Sequence, residues 1–225
     1  MSTPGTYIIV CEGASECNYL DHLNRFLSTL PLPDDGGPIP LRFIARPKNI
    51  DPKTGVNVGC GGGDYGKVSR ADRKEWRANK TYTFGIWVDA DLYVRNDNGN
   101  RELYAHPAGK IPAFDFSILN FEDFIALHYG DELVERWKTK FSEVGHFRCP
   151  LHWEEYKVYY SELFPDYRKN LLPIDFLSVE ALRNLFRHMD EMPDVDYNGL
   201  RVENTFAGLL KEVLVRSYPA EFALI

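Results

Sequence analysis

Apolar residues near the start of the chain follow two different repeats. Residues 7–11 (YIIVC) are apolar throughout and rich in β-branched side chains, which is typical of a strand buried on both faces of a parallel sheet. Residues 19–30 instead carry apolar side chains at helical spacing until Pro31, and Ser15 is the predicted N-cap. The pattern therefore predicts a strand, a turn and a helix in that order.

The same alternation continues to the middle of the chain. Residues 41–45 predict a second strand, and an S-x-x-D capping box beginning at Ser69 predicts a helix over residues 69–79. Residues 81–88 (TYTFGIWV) predict a third strand, and residues 110–116 a fourth. This order favours an α/β fold with a Rossmann-type parallel sheet and helices on both faces.

The second half of the sequence predicts mainly helices. Asn120 is the predicted cap of a helix that begins at residue 121, and residues 141–153 are interpreted as a connecting segment. Further helices are predicted over residues 131–141, 178–189 and 204–217. We therefore expect a catalytic core over residues 1–131 and a helical C-terminal extension over residues 132–225.

Composition narrows the class of protein. The 225 residues, 44% of them hydrophobic, are enough to bury one ordinary core. The first residues do not show the basic region followed by an apolar region that is typical of a signal peptide. No apolar stretch approaches the roughly 20 residues that span a membrane. Four irregularly spaced cysteines argue against a disulfide framework and against structural zinc. We expect a soluble cytoplasmic protein.

Charge is distributed unevenly along the chain. The net charge of −7 argues against a protein that coats nucleic acid. Residues 46–80, however, contain nine basic residues against four acidic ones. This segment is expected to contact phosphates locally, although a solvated basic helix face is an alternative interpretation. Its predicted nucleic-acid-binding residues are Lys67, Arg70, Arg73, Lys74 and Arg77.

Carboxylates follow two of the predicted strands directly. Glu12 comes after the first strand, and Asp89 and Asp91 come after the third. Ligands of parallel sheets bind at the carboxyl ends of strands, and the two aspartates point the same way if the backbone stays extended. Glu16 lies one helical turn beyond Glu12. Four hard oxygen donors at one rim suit Mg²⁺ or Mn²⁺.

Simpler explanations exist for each acid taken alone. A glutamate in the first turn of a helix, such as Glu16, is favoured by the helix dipole without any metal. A D-x-D sequence is common in turns. The combination is harder to explain without a cation, because four like charges placed together are costly unless they are neutralised. The sequence therefore predicts a metal site.

Three stretches carry a resemblance to a known family. IIVCEGASECNYL, WVDADL and SILNFEDFIALHYGD resemble the RloB-like branch of the TOPRIM superfamily, which has an EG-x-x-E after the first strand, a D-x-D after the third and a later F-E helix. The resemblance covers roughly residues 5–131. It implies a TOPRIM-like core, with Glu12, Asp89 and Asp91 as catalytic and metal-binding acids and Glu16 as a further metal ligand.

The resemblance also implies a function. It suggests a Mg²⁺-dependent (or Mn²⁺-dependent) nuclease that hydrolyses phosphodiesters of DNA or RNA, tRNA included, in prokaryotic antiviral defence and abortive infection. An ATPase is the expected protein partner, a homodimer is compatible with it, and no membrane is involved. The alternative is a non-catalytic TOPRIM-like subunit that docks on an ATPase and senses a ligand.

Three further residues are candidates for the site. Glu122 matches the F-E of the third block, and His128 closes the same predicted helix. Asp97 is a candidate late ligand, because Leu92 and Tyr93 stand where related nucleases continue their second acidic motif. For Asp97, a solvated N-D-N-G turn is the alternative interpretation.

A glycine-rich loop resembles a nucleotide-binding motif only in outline. Residues 61–67 spell G-x-x-x-x-G-K, as in a Walker A loop. A true P-loop follows a buried strand and places Ser or Thr directly after the lysine, whereas Val68 stands there. ATP binding through Lys67 is therefore only a third hypothesis.

Overall fold

A computed structural model describes most of the chain. The described residues are 5–31, 41–63, 65–79, 82–95, 99, 114–117, 119–148, 151–169, 172–173, 175–189 and 206–223. Asp97 and Cys149 lie outside them, so the prediction that Asp97 is a late metal ligand concerns a residue that is not described.

The sheet has four parallel strands, which confirms the predicted α/β fold. They are β1 (Thr6–Cys11), β2 (Arg42–Arg46), β3 (Thr83–Val88) and β4 (Phe114–Phe116), in the order β2-β1-β3-β4. In the register of β1, Ile8 lies opposite Ile44 on one side and Phe84 on the other. Five consecutive residues of β1 are buried, and because side chains alternate along a strand, both of its faces must be covered.

The first helix, α1 (Ala14–Leu27), begins earlier than predicted. Its N-cap is Gly13 in an extended conformation, and Ser15 lies buried inside the first turn. The predicted Ser15 cap is wrong because the backbone N–H of Gly13 donates to the Glu16 carboxylate at 3.0 Å, so the glutamate supplies the capping interaction. The change brings the helix closer to the end of β1.

The second helix, α2 (Tyr65–Ala78), also begins a turn earlier than predicted. Tyr65 and Val68 are fully buried, so the apolar face of the helix already exists before Ser69. Ser69 and Asp72 lie buried on that face, in the interior of the helix. The predicted S-x-x-D capping box is therefore wrong, because burial of the preceding turn extends the helix past it.

The remaining helices follow β3. They are α3 (Asp91–Arg95), α4 (Phe121–Ala126), α5 (Asp131–Glu143), α6 (Trp153–Leu163), α7 (Val179–His188), α8 (Phe206–Ser217) and α9 (Pro219–Phe222). Asn120 is the N-cap of α4 as predicted, and Ser178 caps α7 by accepting from the backbone N–H of Ala181. The helix α6 was not predicted from the sequence.

The chain divides into two compact units. One comprises the described parts of Met1–Val88 and Asn96–Asp115, and the other comprises those of Asp89–Arg95 and Phe116–Ile225. The first unit contains β1, β2, β3, α1 and α2, and the second contains α3 to α9. The predicted boundary at residue 131 falls inside the second unit. Within the described ranges, no helix has the length and apolar character needed to cross a membrane.

Candidate functional site

Glu12 lies at the carboxyl end of β1 in the first unit. Its backbone N–H donates to the carbonyl of Trp87 on the neighbouring strand at 3.1 Å. Its side chain is only 8% exposed, and Oε1 accepts from the backbone N–H of Gly63 at 3.4 Å. The strand-end position predicted for Glu12 is therefore confirmed, and a backbone donor helps to orient its carboxylate.

Glu16 follows Glu12 by one helical turn and is 3% exposed. Its Oε2 accepts from the Gly13 backbone N–H at 3.0 Å, so it closes the first turn of α1. This hydrogen bond gives Glu16 a structural role that needs no metal. The same bond fixes the position of a carboxylate beside the end of β1.

A glycine-rich loop packs against the end of β1. The backbone N–H of Cys60 donates to the carbonyl of Cys11 at 3.1 Å, and that of Gly62 donates to the carbonyl of Glu12 at 2.9 Å. Gly59 has φ +55°, and a Cβ there would lie 2.7 Å from the Cys11 carbonyl oxygen. Only glycine fits such a close approach to another backbone.

This loop is not arranged like a phosphate-binding loop. The backbone N–H of Gly61 donates to Val58, and those of Gly62 and Gly63 donate to Glu12. A Walker A loop instead turns its N–H groups toward the nucleotide phosphates. The geometry of residues 61–63 therefore argues against nucleotide binding by this loop.

Three thiols lie in the same unit. Cys11 and Cys17 are buried, and Cys60 is partly exposed. Burial raises the pKa of the Cys11 thiol, and burial, with Cys17 and two nearby glutamates, raises that of Cys60 to about 12. A thiol with a raised pKa is a poor nucleophile and a poor metal ligand at neutral pH. This agrees with Cys11 and Cys17 as packing residues.

Asp89 and Asp91 belong to the second unit. Asp89 follows the last residue of β3, and Asp91 is the first residue of α3. The backbone therefore turns at Ala90 and does not stay extended, so the alternation argument for two parallel side chains does not apply. Asp91 is nearly buried, and its backbone N–H donates to the Leu119 carbonyl at 3.0 Å.

Glu122 is an enclosed carboxylate of the second unit, at 2% exposure. The hydroxyl of Tyr156 donates to its Oε2 at 2.7 Å, and that of Tyr167 donates to its Oε1 at 3.1 Å. The hydroxyl of Tyr160 donates to its backbone carbonyl at 2.5 Å. Glu122 is thus held by three tyrosines from α6 and the segment after it.

A histidine and an aspartate form a second buried pair beside Glu122. His146 Nε2 lies 3.0 Å from Asp123 Oδ2, which also accepts from the Asn120 backbone N–H at 3.0 Å. The backbone N–H of Leu151 donates to His146 Nδ1 at 3.1 Å. Because Nδ1 accepts, Nε2 carries the hydrogen and donates to Asp123. The pair joins the start of α4 to the segment after α5.

His128 packs in the interior of the second unit. Its ring contacts those of Phe124 and Phe176, and Nδ1 lies 3.0 Å from the Phe124 carbonyl. Burial lowers its pKa to about 3, so the ring is neutral and donates from Nδ1. These contacts describe a core histidine that closes α4.

The predicted basic residues lie on the exposed side of the helix α2, as in the alternative interpretation of a solvated basic helix face, and their contact with nucleic acid stays a prediction. The exposed cations are Lys67, Arg70, Arg73, Lys74 and Arg77. Lys67 Nζ is 3.5 Å from the carbonyl of Gly62, so it lies close to the glycine-rich loop.

The predicted acids do not form a compact group of metal ligands among the described residues. No group of three His, Cys, Asp or Glu side chains among the described residues is close enough to hold one ion. Mg²⁺ does not need such a group, because it retains several waters and is held by one or two carboxylates together with substrate phosphates. Each of the predicted ligands Glu12, Glu16, Asp89 and Asp91 offers carboxylate oxygens, which suit that cation better than zinc.

Sequence reasoning missed the tyrosines around Glu122. Tyr156 and Tyr160 are spaced by one helical turn, which is a signal for a shared helix face. The apolar pattern does not predict α6, so the sequence does not display this face. His146 and Asp123 lie 23 residues apart in sequence, and no local pattern reports their pairing.

Comparisons with protein-family models, with curated proteins and with solved structures find no match to this chain.

Proposed function

We propose that this chain is a Mg²⁺- or Mn²⁺-dependent phosphodiesterase of the TOPRIM type, a nuclease acting on DNA or RNA. Glu12, Glu16, Asp89 and Asp91 are its proposed metal ligands. The proposal extends to a cytoplasmic effector in phage defence that is controlled by an ATPase partner. The defence role and the ATPase partner rest on the resemblance to RloB-like proteins alone.

The register of the sheet carries the proposal. β1 and β3 are parallel neighbours, with Cys11 opposite Trp87. The segments that bear Glu12 and Asp89 therefore both leave the sheet at carboxyl strand ends, where α/β proteins bind their ligands. Acids at such positions are the donors that Mg²⁺ prefers, which supports metal chemistry over other reactions.

The residues divide the work as follows. Glu12, oriented by the Gly63 N–H, is the proposed base or the ligand nearest the attacking water. Asp89 and Asp91 are the proposed anchors of the ion. The exposed cations of α2 would hold the phosphates of the substrate without reading its sequence. A bound ion would lower the pKa of a water and stabilise the leaving oxygen.

A binding function is the second candidate, and one observation favours it. The carboxylates of Glu16 and Glu122 accept hydrogen bonds from the Gly13 N–H and from tyrosine hydroxyls, and the described residues hold no cluster of three metal ligands. A non-catalytic TOPRIM-like subunit that docks on an ATPase would need no such cluster.

A cleavage assay tests the proposal. Purified protein is incubated with labelled DNA and with total RNA, with and without an ATPase partner, in Mg²⁺, in Mn²⁺ and in EDTA. We expect metal-dependent cutting that falls at least about 100-fold in Glu12→Gln and Asp89→Asn, as for loss of a general base or metal ligand. The matched control is Glu132→Gln, an exposed residue of α5.

Metal titration separates the two candidates. If the acids bind an ion, Mg²⁺ or Mn²⁺ raises the melting temperature of the wild type but not of Asp89→Asn. Full activity of Glu12→Gln in Mg²⁺ would exclude the catalytic assignment. If neither ion changes the melting temperature of the wild type or of any variant, the binding subunit is favoured.

A further inference from the structure

One face of α2 carries a stripe of four cations. Arg70, Arg73, Lys74 and Arg77 occupy helix positions i, i+3, i+4 and i+7, so they lie on the same side. With Ala78 they line a groove of about 550 Å³. The stripe extends about 10 Å along the helix axis at the usual rise per residue.

The acids of α2 do not neutralise this stripe. Asp72 is buried on the opposite side of the helix. Glu75 Oε2 instead faces Arg46, whose Nε lies 3.4 Å away, and it also accepts from Asn79 Nδ2 at 3.3 Å. Both acids of the helix are therefore directed away from the groove.

Three of the cations make no ion pair with any described residue. They are Arg73, Lys74 and Arg77, and only Arg73 has a hydrogen bond, from Nε to the Ser69 carbonyl at 3.2 Å. Arg73 and Arg77 are also four residues apart, a spacing at which like charges repel across a helix turn. In a chain of net charge −7, such a stripe favours a polyanion.

A large aromatic ring stands beside the stripe. Trp76 is 49% exposed and follows Arg73 by three residues, at the edge of the basic face. Exposed indoles next to arginines provide a stacking surface for nucleic-acid bases. Inside a duplex the base faces are already stacked on each other, so such a ring favours unpaired bases.

We infer that the α2 face, defined by Arg70, Arg73, Lys74, Trp76 and Arg77, binds single-stranded nucleic acid. Its cations contact the phosphates and Trp76 stacks on an unpaired base. The inference deepens the proposed function and rests on its nucleic-acid substrate, because it assigns the substrate class as single strands, loops or ends and not as uniform duplex.

Equilibrium binding in EDTA tests this inference without any cleavage. The probes are fluorescein-labelled 12-nucleotide single strands of RNA and of DNA and a duplex of the same sequence, followed by anisotropy with the full chain. We expect single strands to bind at least about fivefold more tightly than the duplex, as stacking on one aromatic ring provides. Poly-glutamate and vesicles with 30% phosphatidylserine serve as competitors of other chemistry.

Four variants resolve the two parts of the face. Trp76→Ala should weaken single-strand binding about 10-fold, whereas Trp76→Tyr should stay within about threefold, because tyrosine also stacks. The triple variant Arg73→Gln, Lys74→Gln, Arg77→Gln should weaken all nucleic acids and reduce the salt slope by about two. Ile50→Ala, another exposed apolar residue of the same unit, is the control.

Each outcome decides for or against the inference. Equal affinity for duplex and single strand, with no effect of Trp76→Ala, would overturn the inference. It would also be overturned if poly-glutamate or the vesicles displaced the labelled strand as well as an unlabelled single strand does. Melting curves confirm that every variant is folded. Binding as expected without cutting in Mg²⁺ would support the inference and refute only the nuclease. Cutting in Mg²⁺ without an effect of Trp76→Ala on binding would support the nuclease and refute the inference.

Discussion

Removing one tyrosine hydroxyl should measurably destabilise the second unit. In Tyr156→Phe, Glu122 Oε2 loses a 2.7 Å donor while the ring remains in place. A hydrogen bond to a carboxylate contributes about 1.5–3 kcal/mol to stability. All of this contribution is lost when the acceptor stays buried, because water cannot replace the missing donor. Glu122 is 2% exposed. We therefore expect a loss of about 2 kcal/mol in the free energy of unfolding.

Urea unfolding followed by circular dichroism measures this loss, with the slope m checked for constancy. Tyr167→Phe removes a longer bond of 3.1 Å and should cost less, about 1 kcal/mol. Tyr159→Phe is the matched control on the same helix, because among the described residues Tyr159 makes only ring contacts, with Phe141 and Lys140. A loss in Tyr156→Phe no larger than that in Tyr159→Phe would refute the reasoning.

Alkaline pH provides an independent check of the same bond. Burial, and then the charge of Glu122, raise the pKa of the Tyr156 phenol above its ordinary value. The folded chain therefore keeps a proton that the unfolded chain releases near pH 10. Stability from this group is present below that pH and is lost as the pH rises above it. The slope of this loss should be smaller in Tyr156→Phe.

Two further substitutions test the first unit. Gly59→Ala places a Cβ 2.7 Å from the Cys11 carbonyl oxygen at a positive φ, and should lower the free energy of unfolding in urea by at least about 2 kcal/mol. Gly55→Ala, with φ +70° and open space, should lower it by about 1 kcal/mol. Equal losses in the two variants would contradict the close packing at Gly59. Burial raises the pKa of Asp115 to about 7 against a hydrogen bond from the Ile86 backbone. The unfolded chain releases that proton near pH 4, whereas the folded chain keeps it until about pH 7. The free energy of unfolding therefore falls as the pH rises from 4 toward 8, and this fall should be about 2–4 kcal/mol smaller in Asp115→Asn. Asp21→Asn, at an exposed position of α1, is the control.

The fold was predictable where burial follows a simple period. β1 and β3 are apolar runs, and both were predicted to within two residues because most positions of these strands are buried. Helix starts were not predictable in the same way. Ser15 and Ser69 are good capping residues by type, yet both lie inside helices, because a cap at Gly13 and the burial of Tyr65 extend the helices past them.

The site was predictable only in part. The position of Glu12 follows from the end of a strand, which the sequence displays directly. The turn at Ala90 could not be inferred, because a D-x-D sequence is compatible with both extended and helical backbone. The partners of Glu122 lie 34–45 residues away in sequence, and no local pattern reports such distant pairing.

The tyrosines connect to Asp91 through hydrogen bonds and the backbone of residues 119–123, within the second unit. Tyr160 holds the carbonyl of Glu122 at the first turn of α4, and Asp123 holds the backbone of Asn120 just before it. The preceding carbonyl, that of Leu119, accepts from the backbone of Asp91. The α6 helix therefore helps to hold residues 119–123 in place, and the backbone of Asp91, a proposed metal ligand, is hydrogen-bonded to this segment. If Asp91 holds an ion, loss of these hydroxyls should weaken metal binding as well as the fold, because each ligand must be held close to its productive position.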